Sequence, residues 1–187
     1  MMDQNAVIYQ DLKSILVKRE DIAKAVKVLG EKITADYQGK KLILVGILKG
    51  AVVFFADLMR EIDLPLAIDF MAVSSYGAST KTSGVVNLVK DLSVDITGMD
   101  VLIVEDIVDS GMTLSYLKKY LASRGAASIK IATLLDKPER RRVDLKADYF
   151  CFTIPDEFVV GYGLDYNEKY RNLPDIGVLD PKIYAEA

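Results

Sequence analysis

The chain has 187 residues, 51% of them hydrophobic, and a net charge of −3, with one cysteine and no histidine. That length fits a single domain with a sizeable core, and the mildly acidic balance argues against a general nucleic-acid binder. Without histidine every imidazole scheme is excluded, Ser-His-Asp and Cys-His included, and with one cysteine a zinc site is disfavoured too; proton transfer is left to Asp, Glu, Lys, Tyr or water, and any metal should be a hard ion held by oxygen.

The N-terminal MMDQNAVIYQ has no basic start and no long apolar core, so no secretory leader is expected. No apolar run reaches membrane-spanning length. Ala6 to Val17 is mixed and contains a short strand around Lys13 to Leu16. A helix follows from about Arg19 to Tyr37: Ile22, Val26, Leu29, Ile33 and Tyr37 recur at spacings of four, three, four and four. Gly30 falls inside it at a cost of about 1 kcal/mol against alanine, yet the unbroken period predicts one helix.

Lys41 to Leu48 (KLILVGIL) reads as a buried strand, Lys49-Gly50 as a turn, and Ala51 to Ile62 as a helix with Val52, Phe55, Met59 and Ile62 on one face. Leu66 to Val73 is the next strand; its Asp69 is either a ligand contact or the satisfied partner of a basic group. Ser74 to Gly84 (SSYGASTKTSG) turns small and polar with one aromatic, Tyr76, and Val85 to Leu92 returns as a strand, which makes a long hairpin. Its tip is either a plain loop, as composition favours, or a lid over a reacting centre.

Val101 to Leu114 (VLIVEDIVDSGMTL) is the segment around which the rest is organised. Val101 to Val104 opens a strand of the kind buried on both faces. Glu105 and Asp106 then interrupt it, where charge is costly to bury unless partnered. Asp109, Ser110, Gly111 and Thr113 form a short polar turn, and Leu114, Leu117 and Leu121 continue as a helix up to Gly125. Ligands of open α/β sheets bind beyond the carboxyl ends of the strands. The turn offers N–H groups, two hydroxyls and a helix N-terminus, which suit a phosphate, and Gly111 lets the backbone approach it. Glu105 and Asp106 suit ribose hydroxyls, or a magnesium ion through water. An ordinary helix capped by Asp109 or Ser110 explains the turn equally well, but not the acid pair before it.

Ile129 to Leu135 is another buried strand, ended by Asp136-Lys137; Glu139 and Arg140 to Arg142 read as a solvated turn. Tyr149 to Thr153 and Phe158 to Val160 are short strands, with Cys151 a core residue of the first; a lone cysteine rules out an internal disulfide framework and fits a reducing compartment. Asp165 to Arg171 is a polar turn or helical piece, and Ile176 to Leu179 a last strand. The strands beginning near 41, 101 and 129, with helices between them, predict an α/β doubly wound parallel sheet. The two chain ends can pair beside it as a small hood.

The central segment resembles the phosphoribosyl-diphosphate (PRPP) motif of the type I phosphoribosyltransferases: apolar run, two acids, then D-S-G-x-T, here Asp109, Ser110, Gly111, Met112 and Thr113. Leu48-Lys49-Gly50, Ser75-Tyr76-Gly77, Asp136-Lys137-Pro138 and Phe158 to Glu168 (FVVGYGLDYNE) narrow the resemblance to the bacterial-type hypoxanthine phosphoribosyltransferases, over about Ala6 to Asp180. The resemblance implies the type I phosphoribosyltransferase fold as one domain over 1–187, with the hood from about 1–17 and 150–187 and a flexible loop at about 74–84. It implies purine salvage in the cytoplasm: a Mg2+-dependent transfer of the phosphoribosyl group from PRPP to hypoxanthine, and guanine, giving IMP or GMP and diphosphate. It further implies a homo-oligomer, dimer or tetramer, with no nucleic-acid or membrane partner.

Roles follow from the same resemblance. Glu105, Asp106 and Asp109 to Thr113 would bind PRPP, with the turn on its 5′-phosphate and the acid pair on its ribose, beside the cation that develops at carbon 1. Leu48, Lys49, Gly50 and Arg171 would hold diphosphate, the Leu-Lys peptide being often cis in the family. Asp109 would face the purine imidazole nitrogen as acid/base group. Lys137, which has donors only, would meet the 6-oxygen; Phe158 would stack on the ring, Val159 would meet its edge, and Asp165 would complete the purine site. Glu105, Asp106 and Asp165 would serve the metal, and Ser75 and Tyr76 would close from the lid. Taken alone, Phe158 reads as a core aromatic and Lys49 as a solvated lysine. Two other classes match the sequence less well. A PRPP- or nucleotide-binding regulator would need an added surface or domain, and a kinase or dehydrogenase would need a P-loop or a third glycine where Gly161-Tyr162-Gly163-Leu164-Asp165-Tyr166 has tyrosine.

Overall fold

The computed structural model describes residues 7–75 and 86–185. The lid residue Tyr76 and nearly all of the 74–84 stretch lie outside them; Ser75 enters only as the last backbone position of a strand. The strands are β1 (Leu12–Val17), β2 (Leu42–Leu48), β3 (Ala67–Ser75), β4 (Val86–Lys90), β5 (Asp100–Val108), β6 (Ser128–Asp136), β7 (Tyr149–Thr153), β8 (Val159–Val160) and β9 (Ile176–Leu179). The helices are α1 (Arg19–Asp36), α2 (Val52–Glu61) and α3 (Met112–Ser123).

Six strands form one sheet in the order β4-β3-β2-β5-β6-β7. β3, β2, β5, β6 and β7 run parallel, and β4 closes one edge antiparallel to β3. This is the mostly parallel doubly wound sheet expected from the sequence. Its central strands must be apolar on both faces, because helices cover both. Leu42 and Leu44 of β2 and Leu102 and Val104 of β5 pack toward α1 and α2; Ile43, Val45, Val101 and Ile103 alternate to the face covered by Leu114, Leu117 and Leu121 of α3.

Helix α1 runs unbroken through Gly30, and the glycine has a packing reason. A Cβ there would stand 2.5 Å from Cβ and 2.6 Å from the carbonyl oxygen of Glu61, so it is where α1 crosses α2. That crossing also corrects the face assigned to α2. The helix is wedged between α1 and the sheet, so its buried arc is Phe54, Phe55 and Leu58, continued by Ile62, while Val52 is 42% exposed.

Asp69 of β3 proves to be a satisfied partner. It accepts from Lys90 Nζ at 3.2 Å, from Phe70 N at 2.7 Å and from Ser93 N at 2.6 Å. Cys151 is half-buried against the α1-side core, and burial pushes its thiol up to about 12.

β1, β9 and β8 form a separate antiparallel sheet from the two chain ends. The expected hood boundary near 150 is displaced, because β7 pairs with β6 in the main sheet. Only the chain after β7 joins β1. Among the described residues no helix is long and apolar enough to cross a membrane.

Candidate active site

Strands β2, β5 and β6 end side by side, since they run parallel with Ile47, Val108 and Asp136 near their carboxyl termini. Two cavities open there. One, of about 250 Å³, is lined by Leu48, Glu105, Asp109, Ser110, Gly111 and Thr113 among others. The second, of about 450 Å³, is lined by Asp109, Lys137, Arg140, Asp156, Phe158 and Val159 among others. Asp109 and Ile107 belong to both, so they form the wall between them. A wider groove of about 560 Å³ between α1 and β7 is remote from these strand ends and takes in none of the motif residues.

The turn after β5 is shaped by Gly111, whose φ of +77° is left-handed and which stands at the N-cap of α3 without a side-chain bond. The cap is therefore neither Asp109 nor Ser110; the Ser110 hydroxyl only accepts from Met112 N at 3.4 Å. Released from capping, the Asp109 carboxylate accepts from Arg140 Nε at 3.0 Å. The carbonyl oxygen of Asp109 accepts from Arg141 at 2.6 Å, and that arginine also pairs with Asp136. Lys137 N donates to Val108 O and Arg142 N to Ser110 O, each at 3.0 Å. The segment expected to be a solvated turn is thus laced to the phosphate-type cradle. Arg140 and Arg141 were missed in the sequence. Their signal was three arginines directly after a strand-end Asp-Lys-Pro, in a site otherwise rich in carboxylates.

Glu105 and Asp106 lie inside β5, three and two positions before its last residue Val108. Burial raises the Glu105 carboxyl well above the usual range, with the neighbouring Asp106 charge adding to it; burial also raises Asp106. Asp106 Oδ1 accepts from Ile107 N at 2.8 Å, but Glu105 Oε2 is buried without a partner. An orphaned carboxylate oxygen beside a second buried acid is a site that a cation or a pair of hydroxyls would satisfy. Among the described residues no three acidic or thiol side chains cluster closely enough to cage a metal by themselves. A divalent ion here would have to share its coordination with ligand oxygens, as magnesium commonly does.

At the end of β2 the Leu48–Lys49 peptide is cis. Lys49 Nζ reaches Glu168 at 3.1 Å, and Arg171 pairs with Asp165 at 2.9 Å and with the same Glu168 oxygen at 3.4 Å. Arg171 also donates to Gly163 O at 2.8 Å. The Lys49 ammonium beside Glu168 holds that carboxyl below its usual range. Lys49, Arg171, Asp165 and Glu168 therefore form one ionic patch. The Asp165 carboxylate is spent there, on Arg171 and on Glu168 N at 2.9 Å, and is not among the residues lining the Phe158 cavity.

Within that larger cavity Lys137 is 8% exposed and donates to Glu157 O at 2.6 Å. Phe158 is 41% exposed, too open for a core aromatic. It stands edge-on to Tyr166 at 5.8 Å and tilted against Tyr184 at 5.2 Å. Tyr184 was not anticipated; a tyrosine near the chain end carries no local signal that it folds back here.

Residues 14–167 match the family model described as the phosphoribosyl transferase domain. The chain is 55% identical over 179 residues to the hypoxanthine-guanine phosphoribosyltransferase of Streptococcus pneumoniae (strain ATCC BAA-255 / R6), covering 96% of this chain and 99% of that one. Identity to the enzyme of the same name from Bacillus subtilis (strain 168) is 55% over 174 residues, 93% of this chain and 97% of the relative. A crystal structure of a hypoxanthine phosphoribosyltransferase from Staphylococcus aureus superposes with a TM-score of 0.94 at 53% identity, covering 97% of this chain and 99% of that one.

Proposed function

This chain belongs to the hypoxanthine-guanine phosphoribosyltransferases of the phosphoribosyltransferase family, and from that premise we propose how its residues divide the reaction among themselves. The enzyme transfers the 5-phosphoribosyl group of PRPP to hypoxanthine or guanine, giving IMP or GMP and diphosphate, and so serves purine salvage. A purine ring nitrogen bonds to carbon 1 as the bond to diphosphate breaks. The proton carried by the other imidazole nitrogen must leave.

The observation that carries the assignment is Asp109 on the wall shared by the two cavities. The smaller cavity takes the ribose 5′-phosphate, with Ser110, Gly111, Met112 and Thr113 supplying backbone N–H groups and hydroxyls. The larger takes the base, with Phe158 stacked on it, Val159 on its edge, and Lys137 donating to the 6-oxygen. Asp109, between them, accepts the imidazole proton. Glu105 and Asp106 accept from the ribose hydroxyls and place negative charge near the cation forming at carbon 1. Lys49, the backbone at Leu48 and Gly50, and Arg171 bind the diphosphate.

The orphaned Glu105 oxygen and the sharing required at this donor set fit a magnesium ion that Glu105 and Asp106 would hold, while Asp165 would serve a second one at the diphosphate. When bound, such an ion neutralises leaving-group charge. Closure by Ser75 and Tyr76, assembly as a dimer or tetramer, and a cytoplasmic location complete the proposal.

A turnover assay with PRPP, magnesium and a panel of hypoxanthine, guanine, xanthine and adenine tests it. IMP and GMP should form, adenine should be left unused, and removal of divalent ions should abolish turnover. A protein that binds PRPP in calorimetry yet converts none of the bases would be a regulator and would overturn the assignment.

A further inference from the structure

We propose that Arg140 is a positioning residue for the transfer: it fixes the Asp109 carboxylate on the wall between the two cavities so that one oxygen faces the purine. The proposal rests on the reading of Asp109 as the proton acceptor and extends it to a residue outside the motif.

Arg140 Nε donates to Asp109 Oδ1 at 3.0 Å, and Arg140 Nη1 reaches Asp156 Oδ2 at 3.4 Å. The guanidinium therefore bridges two carboxylates across the mouth of the base cavity, which all three residues line. Asp156 also lies 3.8 Å from Lys137 Nζ. Proton acceptor and 6-oxygen donor are thus joined through one chain, Asp109–Arg140–Asp156–Lys137. Arg141 faces the same turn but donates to the Asp109 backbone carbonyl and pairs with Asp136, so it does not compete for the carboxylate.

An aspartate in a short turn has a free χ1 and two equivalent oxygens. Nothing in its own segment holds it, because Gly111 supplies the cap of α3. A planar guanidinium with a fixed fork selects one oxygen and one rotamer, which a flexible ammonium does less well. The bond is charge-assisted, and it comes from an element tied to the cradle by Lys137 N and Arg142 N. The carboxylate is thereby fixed relative to the phosphate turn and the base clamp together. With Oδ1 committed, Oδ2 is left for the imidazole N–H. Misplacing a catalytic group by about 1 Å can cost ~10²-fold in rate.

The experiment is a cycle of R140M, D109N and the double variant, with R140K as the conservative change, read by kcat, by KM for hypoxanthine and by calorimetric PRPP affinity. The expected result is a kcat about 10- to 100-fold lower in R140M, partly recovered in R140K, with PRPP affinity near wild type. In the D109N background R140M should cause no further loss, because its effect passes through the missing carboxylate. Equal fold-losses in both backgrounds would overturn the proposal, as would R140M with full kcat. D109N at full speed would remove the proton-acceptor reading and this proposal with it; slow D109N beside fast R140M would remove the positioning role alone. Arg140 is 46% exposed, and thermal midpoints check that R140M folds; should it not, R140K and D156N carry the same test through the kcat split.

Discussion

A Cβ on Gly50 would fall 1.7 Å from Oδ2 of Asp106. On the other side of the same residue, a Cβ on Gly163 would come 2.1 Å from the Gly50 carbonyl oxygen. The turn after β2, assigned to diphosphate, is thus gripped between the acid pair of β5, assigned to ribose, and the segment that follows β8, which carries Arg171. Gly50→Ala must push the Asp106 carboxylate off its position or move the turn. Overpacking of this kind costs roughly 1–3 kcal/mol. We expect a lower thermal midpoint and a large rise in KM for PRPP, with a smaller change for hypoxanthine. Wild-type PRPP affinity in this variant would show that the place of Asp106 against the turn is not used in binding.

What was legible in the sequence was legible for physical reasons. The segment Val101 to Thr113 announces itself because two acids at the end of a doubly buried strand make no sense without a ligand. The helix through Gly30 was readable from its period alone, although the contact with Glu61 that requires the glycine joins residues far apart in the chain. Arg140 escaped for the converse reason: its partner Asp109 is 31 residues away, and consecutive arginines in a turn look solvated. The alternative of an ordinary helix capped by Asp109 or Ser110 stayed open in the sequence because Asp and Ser are better caps than Gly in general; a left-handed φ at Gly111 closes it. The buried arc of α2 was misjudged because one-sided periodicity assumes one covering layer, and α2 has two.

Asp69 offers a test of the fold away from the chemistry. Burial acts to raise its carboxyl, but the bonds from Phe70 N, Ser93 N and Lys90 outweigh burial and hold it below the usual range. A carboxyl depressed on folding stabilises the native state above its unfolded pKa, and that contribution is lost as pH falls toward the folded value. Asp69→Asn should therefore destabilise the protein at pH 7 by about 1.5–3 kcal/mol, the worth of hydrogen bonds to a charged group. The gap in thermal midpoint between variant and wild type should narrow as pH drops through the ordinary carboxylate range. A gap that stays constant from neutral to acid pH would mean that the ionised carboxylate contributes nothing.

Lys137 is nearly buried, at 8% exposure, and its ammonium already serves Glu157 O. Lys137→Ala should raise KM for hypoxanthine by roughly 10- to 100-fold, corresponding to the loss of one hydrogen bond from a charged donor. PRPP affinity should stay close to wild type, because Lys137 lines only the base cavity. The reverse pattern, PRPP lost and hypoxanthine retained, would place Lys137 in the wrong subsite.

Glu105 sets stability against activity. Its carboxyl is raised by burial first and by the Asp106 charge second. A carboxyl whose folded pKa lies above its unfolded value favours the native state fully below the unfolded value, and that contribution is lost as pH rises through the folded one. In the protein free of ligand and metal, Glu105→Gln should match wild-type stability in mild acid, since glutamine resembles the protonated acid in shape. Above that range the variant should become the more stable, and increasingly so with pH, because it carries no buried charge and no repulsion from Asp106. Catalysis should move the other way. If Glu105 holds the ribose and lends its charge to the cation forming at carbon 1, its loss should lower kcat by roughly 10²–10³-fold, the usual scale for one electrostatic stabiliser. Thermal melts of both proteins from pH 5 to 9, beside kcat at neutral pH, separate the two effects. A variant that is no more stable than wild type at high pH would mean that burial does not hold Glu105 against ionisation.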